Sequence, residues 1–193
     1  MIAAGGPTSV VVATTDSVRQ AFGAVGGSNN IKPFTPGITL DLGARISQVV
    51  FSSDETWLAI SAEMGGGLAV YEVDSIINGN KQSSFEMGTS GVSVRALVQN
   101  PGAESPELFA VVTANGQLFM ADMKSRQISN PLREGVSCVA WSTKGKQVVA
   151  GLGNGSAVQM TPTGEVKKEI ARPPGLGENQ HGMSCRNLLL RQS

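Results

Sequence analysis

The sequence has few of the side chains that carry most enzyme chemistry. Its 193 residues include one histidine, His181, and two cysteines, Cys138 and Cys185. His181 has no second ligand at a metal-binding spacing and no nucleophile that it could assist. Cys138 falls at an inward position of a predicted strand, where a small core residue is expected rather than a nucleophile. We predict no catalytic residue, no metal, no cofactor and no enzymatic activity.

The chain also lacks net charge, because 15 basic residues balance 15 acidic ones. A nucleic-acid-binding surface needs excess positive charge to neutralise phosphates. The densest basic group, Lys167, Lys168 and Arg172, is offset by Glu165 and Glu169. No apolar run reaches the roughly 18 residues of a membrane span, and no signal-peptide pattern begins the chain. We therefore expect an intracellular protein without a membrane span and without direct binding of RNA or DNA.

Two glycine-rich stretches imitate phosphate-binding loops without the context that such loops need. Gly151, Gly153 and Gly155 have the spacing of a dinucleotide fingerprint, but that pattern requires a following helix and then an acidic residue. The glycines at 65–67 have no Lys-Ser or Lys-Thr pair after them. In the first stretch Gly151 is predicted to lie in a strand that ends in a hairpin turn over residues 153–155, and the glycines at 65–67 are predicted to form a turn.

What the sequence does contain is a repeated pattern of strands and tight turns, clearest in its last third. Val136, Cys138 and Ala140 alternate with other residues, which is the period of a strand with one buried face. Asn154-Gly155 predicts a hairpin turn, because both residues tolerate the positive φ that twists such a turn to match its strands. The predicted strands here cover residues 136–141, 147–152 and 156–161.

The same pattern recurs upstream in the chain. Residues 46–55 align without gaps on residues 136–145, and in both an aromatic residue ends the strand and serine follows it. Residues 10–18 similarly resemble residues 109–117. Further strands are predicted over residues 92–98, 108–113 and 117–122. Successive units are offset by about 40 to 50 residues, which is the period of four-stranded propeller blades.

We therefore predict an all-β protein, a β-propeller with degenerate WD-repeat-like blades. The length accommodates about four incomplete blades, whereas a closed ring typically has four to eight. We expect residues 1–181 to form this partial propeller. An incomplete first blade over residues 1–36 lacks its outer or its inner strands, and three further blades cover residues 37–82, 83–125 and 126–174.

Several local predictions accompany these boundaries. Residues 17–22 are predicted as a strand, residues 37–42 as the first strand of the second blade, and Phe85 as the start of the third. Residues 74–84 are predicted to be a polar connection. Residues 100–106 are predicted to protrude as a surface loop, and Glu104 and Glu107 would give it an acidic tip that either faces a basic partner or is merely solvated.

Residues 10–174 resemble the first half of a propeller from a known family. The most specific portions are residues 136–159 with Arg172-Pro173-Pro174, and Thr14-Thr15-Asp16-Ser17-Val18-Arg19 near the start. These residues resemble the N-terminal propeller of the large FG-nucleoporin on the cytoplasmic face of the nuclear pore complex. The resemblance implies a seven-bladed scaffold that docks a DEAD-box RNA helicase in mRNA export, with other nucleoporins as further partners.

The resemblance does not identify the partner-binding residues, because no compact motif matches a contact set residue by residue. Docking of this kind would use charged loops that meet complementary charges on the partner. The alternative function is a generic WD-repeat-like adaptor in another intracellular complex, for which the repeat pattern alone would suffice.

Residues 182–193 depart from the family pattern, since they show no strand alternation and no turn residues between strands. One hypothesis is that this segment is intron-encoded, because codons for Gly182-Met183-Ser184 can contain GTATGT, a common fungal-type splice donor. A genuine terminal helix over residues 186–192 is the alternative.

Overall fold

The computed structural model describes residues 1–23, 37–63 and 66–172. The strands are β1 (Ile2–Gly5), β2 (Ser9–Ala13), β3 (Ile38–Asp41), β4 (Ile46–Phe51), β5 (Trp57–Ala62), β6 (Leu68–Glu72), β7 (Phe85–Met87), β8 (Val94–Gln99), β9 (Leu108–Thr113), β10 (Leu118–Asp122), β11 (Gln127–Ile128), β12 (Val136–Trp141), β13 (Val148–Leu152), β14 (Ala157–Met160) and β15 (Val166–Ile170). Two short helices, α1 (Thr15–Gly23) and α2 (Val73–Ile77), follow β2 and β6. The rest of the predicted propeller up to residue 181, and the segment 182–193, lie outside the described residues.

These strands form four antiparallel sheets in chain order. Sheet 1 contains β1 to β3, sheet 2 contains β4 to β7, sheet 3 contains β8 to β11 and sheet 4 contains β12 to β15. The first strands β4, β8 and β12 contact one another in succession. They begin 48 and 42 residues apart, which agrees with the predicted repeat.

The hydrophobic core lies between neighbouring sheets. Tyr71 and Leu40 pack between sheets 1 and 2, Phe109 between sheets 2 and 3, and Trp141 between sheets 3 and 4. Burial of each such side chain contributes about 1.5–3 kcal/mol. Because the middle strands are covered on both faces, β9 is apolar almost throughout instead of alternating.

A β-bulge recurs near the start of β4, β8 and β12, which are the first strands of sheets 2, 3 and 4. Contacts from the bulges link neighbouring sheets. The pairing register shifts across Ser47 in β4, across Arg95 in β8 and across Ser137 in β12. Ser47 Oγ donates to Val94 O at 3.3 Å. The Arg95 guanidinium donates to Val136 O at 2.6 Å and to Ser137 O at 2.9 Å. The bulges in β4 and β8 therefore aim a polar side chain at the next sheet, whereas Ser137 Oγ donates to Gly151 O within its own sheet at 3.0 Å.

The strands β4, β8 and β12 run parallel to one another. The bulge contacts join the starts of these strands, and Trp141 Nε1 at the end of β12 donates to Val98 O near the end of β8 at 3.0 Å. The loops that follow β4, β8 and β12 therefore lie at the same end of the sheets.

Two predicted strand assignments were wrong, although both segments are strands. β3 pairs with β2 in sheet 1, with Leu40 opposite Val10, and does not begin sheet 2. Phe85 lies in β7, which pairs with β6 as the last strand of sheet 2. Alternation identifies a strand but does not identify its neighbour, so the sheets span 46–87, 94–128 and 136–170 instead of the predicted blades.

The predicted strand over residues 17–22 is also wrong, because these residues belong to α1. Ser17 N donates to Thr14 Oγ1 at 3.2 Å, and Ser17 Oγ donates to Thr14 O at 2.8 Å. A threonine before the first turn and Asp16 within it favour a helix start. Helix α2 was likewise missed within the predicted polar connection.

At the Asn-Gly pairs of the β9–β10 and β13–β14 hairpins, only the glycine has positive φ. Gly116 and Gly155 have φ of 81° and 85°, whereas neither Asn115 nor Asn154 has positive φ. Gly155 N donates to Leu152 O and Leu152 N donates to Ser156 O, which is a three-residue loop closed by a glycine bulge. Asn154 contributes through its side chain, since Oδ1 accepts from Ser156 N at 3.0 Å.

The loop between β8 and β9 is fastened to the β12–β13 hairpin of the next sheet. Asn100 is 1% exposed. Its Nδ2 donates to Gly145 O at 3.1 Å, and its Oδ1 accepts from Gly102 N at 2.8 Å. Gly145 has φ of 68°, and a Cβ there would overlap Asn100 Oδ1.

We predict that Asn100→Ala lowers the free energy of unfolding by about 1–3 kcal/mol, because two backbone groups lose their partner in a buried place. Asn80→Ala is the matched control. Asn80 makes the same contact to the backbone N–H two residues on, Gln82 N at 3.0 Å, but it is exposed, so water can replace it. Urea denaturation measures the free energy of unfolding of both variants, and equal decreases would contradict the role given to Asn100.

We also predict that Gly145→Ala costs more stability than Gly43→Ala. Both glycines have positive φ, 68° and 64°, so alanine at either position introduces about 1–2 kcal/mol of backbone strain. A Cβ at Gly43 has nothing within 4 Å, whereas at Gly145 it displaces Asn100. Thermal unfolding of the two variants would refute this if their midpoints fell equally.

Candidate docking surface

The aspartate side chains are dispersed over the fold. Asp16 lies in α1 and Asp74 in α2, while Asp41 and Asp122 end strands and Asp54 occupies a turn. Within residues 1–23, 37–63 and 66–172, no group of three His, Cys, Asp or Glu side chains could hold a metal. His181 and Cys185 lie outside these ranges.

The two glycine stretches do not form phosphate-binding loops in the described residues. Gly151 lies in β13, and Gly153 and Gly155 lead directly into β14, so no helix follows to receive a phosphate. Gly66 and Gly67 have φ of 59° and 134°, while Gly65 lies outside the described residues. Cys138 is half-buried on β12.

A cleft of about 650 Å³ lies between sheets 1 and 2, where Asp41, Tyr71, Lys81 and Glu86 contribute to its wall. Burial raises the pKa of Tyr71, and the charge of Glu86 raises it further. The phenol therefore stays neutral at physiological pH and can only exchange hydrogen bonds. Because the wall carries both signs of charge, it does not indicate which class of ligand would bind.

The acidic loop does not protrude in the way the sequence suggested, because Asn100 holds it on the neighbouring hairpin. Glu104 Oε1 lies 3.1 Å from Lys146 Nζ on that hairpin. Glu107 is half-buried, and its carbonyl oxygen accepts from Met123 N at 3.1 Å. The loop therefore presents a paired carboxylate and a neighbouring lysine, with no acidic tip.

The loop after β4, at the same end, is also held rigidly. Asp54 Oδ1 accepts from Ser52 Oγ at 2.5 Å, and its Oδ2 accepts from Thr56 Oγ1 at 2.7 Å. Burial alone would raise the pKa of Asp54, but these hydrogen bonds and that from Thr56 N outweigh it and lower the pKa. The carboxylate remains charged at neutral pH and fixes the turn.

This end of the sheets is therefore a candidate docking surface, formed by residues 52–56, 100–107 and 142–147. It carries Asp54, Glu55 and Glu104 beside Lys144 and Lys146. Preformed loops of mixed charge suit recognition of a partner with a complementary pattern. The residues that hold the surface together, above all Asn100, had no signal in the sequence beyond a polar residue at a strand end.

No helix in the described part of the chain is long and apolar enough to cross a membrane.

Comparison with known structures shows the fold. The chain is similar to the β-propeller domain of Myceliophteria thermophila Cps50 (Swd1), with a TM-score of 0.61, 13% identity, and coverage of 88% of this chain and 51% of that one. At this identity the likeness concerns the fold alone. The predicted all-β propeller is confirmed.

Comparison of sequences shows the family. Nucleoporin NUP159 of Chaetomium thermophilum is 50% identical over 184 residues, which are 92% of this chain and 12% of that protein. Nucleoporin nup146 of Schizosaccharomyces pombe is 33% identical over 69% of this chain and 10% of its own length. The human nuclear pore complex protein Nup214 is 26% identical over 90% of this chain and 9% of its own length.

The chain thus spans about a tenth of the length of these relatives. NUP159 and Nup214 are nucleoporins of the cytoplasmic face of the nuclear pore complex, so the localisation predicted from the sequence agrees with theirs. Residues 1–188 match the family described as "NUP159/214 beta propeller", and the chain belongs to this family of nucleoporin propellers.

Proposed function

We propose that the full-length protein is a nucleoporin of the cytoplasmic face of the nuclear pore complex whose propeller docks a DEAD-box RNA helicase for mRNA export. The observation that carries the nucleoporin assignment is the family match over residues 1–188. The helicase and the role in export come from the sequence resemblance, and other nucleoporins are the further partners that it implies.

The geometry supports a docking role in two respects. The loops at one end are held by buried or paired groups such as Asn100 and Asp54, so a partner would meet a surface that needs little ordering on binding. These loops carry both charge signs, which favours a protein partner with a matching pattern over a phosphate backbone. A non-enzymatic scaffold also accounts for the dispersed acidic residues in the described part of the chain.

The alternative of a generic WD-repeat-like adaptor has weaker support. The similarity to the Swd1 propeller concerns the fold only, whereas three of the relatives compared are nucleoporins. The repeat pattern would fit either function, and the relatives favour the nucleoporin.

The experiment compares the full-length protein with a version that lacks the propeller, in cells that carry the gene. We expect the deletion to release the tagged DEAD-box helicase from nuclear pores and to cause accumulation of polyadenylated RNA in nuclei. Re-expression of the full-length protein is the control and should restore both. Retention of the helicase at the pores without the propeller would contradict the docking proposal.

A further inference from the structure

The outermost strand of sheet 4 is exposed over most of its length. β15 reads Val-Lys-Lys-Glu-Ile, and its first four residues are exposed. The strand order of the sheet is β12-β13-β14-β15, so β15 bonds to β14 on one side, and within the described ranges no strand pairs with its other edge. An exposed segment that is already extended suits a protein that binds its substrate peptide in the extended conformation.

Four consecutive residues of β15 match the acceptor motif of SUMO, the small ubiquitin-like modifier. The SUMO-conjugating enzyme recognises an aliphatic residue, the acceptor lysine, any residue and then an acidic residue. Val166, Lys167 and Glu169 have these types at this spacing. No other lysine of the sequence has both an aliphatic residue before it and an acidic residue two positions after it. The motif therefore singles out Lys167.

The fold displays both recognition residues of this motif, and a short motif indicates a site only in a suitable structural context. Val166 is 44% exposed, so an apolar patch on an enzyme can contact it without opening the sheet. Glu169 is exposed as well, and it stands opposite Val158 in the pairing with β14. Its carboxylate can therefore fix the register of the segment on an enzyme while the strand stays paired.

The acceptor itself occupies a bulge in β15. Val166 and Lys168 stand opposite neighbouring residues of β14, so Lys167 between them has no residue opposite it. Lys167 Nζ lies 2.6 Å from Glu165 Oε1, and these side chains are 43% and 65% exposed. Because an exposed ion pair contributes little to stability, an enzyme can displace Glu165 from the amine at low cost.

We propose that Lys167 is an acceptor for SUMO. The donor is the thioester between the C-terminal glycine of SUMO and the cysteine of the conjugating enzyme, which an activating enzyme supplies at the expense of ATP. Lys167 Nζ loses one proton to solvent and attacks the thioester carbonyl carbon. The C–N bond forms, the C–S bond breaks and the cysteine thiolate leaves. The amine releases a second proton to solvent, and the product is a neutral isopeptide.

This modification is independent of the helicase-docking proposal, because Lys167 lies outside the loops at residues 52–56, 100–107 and 142–147. It would attach a folded protein to the outer edge of sheet 4. A partner that binds SUMO would then find a second contact beside the propeller, which raises the affinity of the combined contacts.

Conjugation of the purified full-length protein in vitro tests the proposal. The reaction contains SUMO, its activating and conjugating enzymes and MgATP, and mass spectrometry after proteolysis locates the modified lysines. We expect modification at Lys167 that is lost in Lys167→Arg. Lys168→Arg is the matched control, because Lys168 is exposed on the same strand without the motif, and it should leave Lys167 modified. An unmodified Lys167, or equal modification of Lys167 and Lys168, would overturn the proposal.

Two further variants separate recognition of the motif from general reactivity of an exposed lysine. Val166→Ala and Glu169→Gln keep the acceptor amine and alter only exposed side chains, so the midpoint of thermal unfolding should stay the same and serves as the folding control. We expect each variant to slow the modification of Lys167 on the order of tenfold, because each removes one contact with the conjugating enzyme. Unchanged rates in both variants would refute recognition of the motif.

Discussion

A sheet with two apolar faces is stable in water only when a neighbouring sheet covers each face, and this constraint governs the whole structure. β9 illustrates it most directly. Phe109 and Val111 point into the core shared with sheet 2, while Ala110 and Val112 point into the core shared with sheet 4. Successive residues of one strand thus pack against two different sheets. The bulge residues Ser47 and Arg95 add hydrogen bonds between the same pairs of sheets. The propeller arrangement follows because only a succession of sheets covers every such face.

Features that depend on neighbouring residues in the chain could be predicted from the sequence, and those that depend on distant ones could not. The alignment of residues 46–55 on residues 136–145 correctly identified β4 and β12 as equivalent strands of their sheets, because the bulge, the strand and the turn all depend on residues close in sequence. Residues 10–18, however, resemble residues 109–117 although β2 is followed by helix α1 and β9 by strand β10, since valine-rich strands look alike wherever they lie. β15 was missed because a largely exposed strand does not alternate. The role of Asn100 depends on Gly145, and no sequence pattern relates the two.

The same packing explains the kind of function that the chain can perform. Its apolar residues are used between the sheets, and the polar groups that remain lie in loops and at strand edges. In the described residues such groups stabilise turns, as Asp54 does, or pair across sheets, as Glu104 does. A succession of packed sheets with loops of mixed charge fits a domain of the NUP159/214 propeller family.

The central claim is that this propeller belongs to a nucleoporin that works on the cytoplasmic side of the nuclear pore complex. Immunogold electron microscopy of nuclear envelopes, with an epitope tag on the full-length protein, tests it most directly. The account predicts gold particles at the pores, displaced from the membrane midplane towards the cytoplasm. Particles on the nucleoplasmic side, or a distribution unrelated to pores, would contradict it.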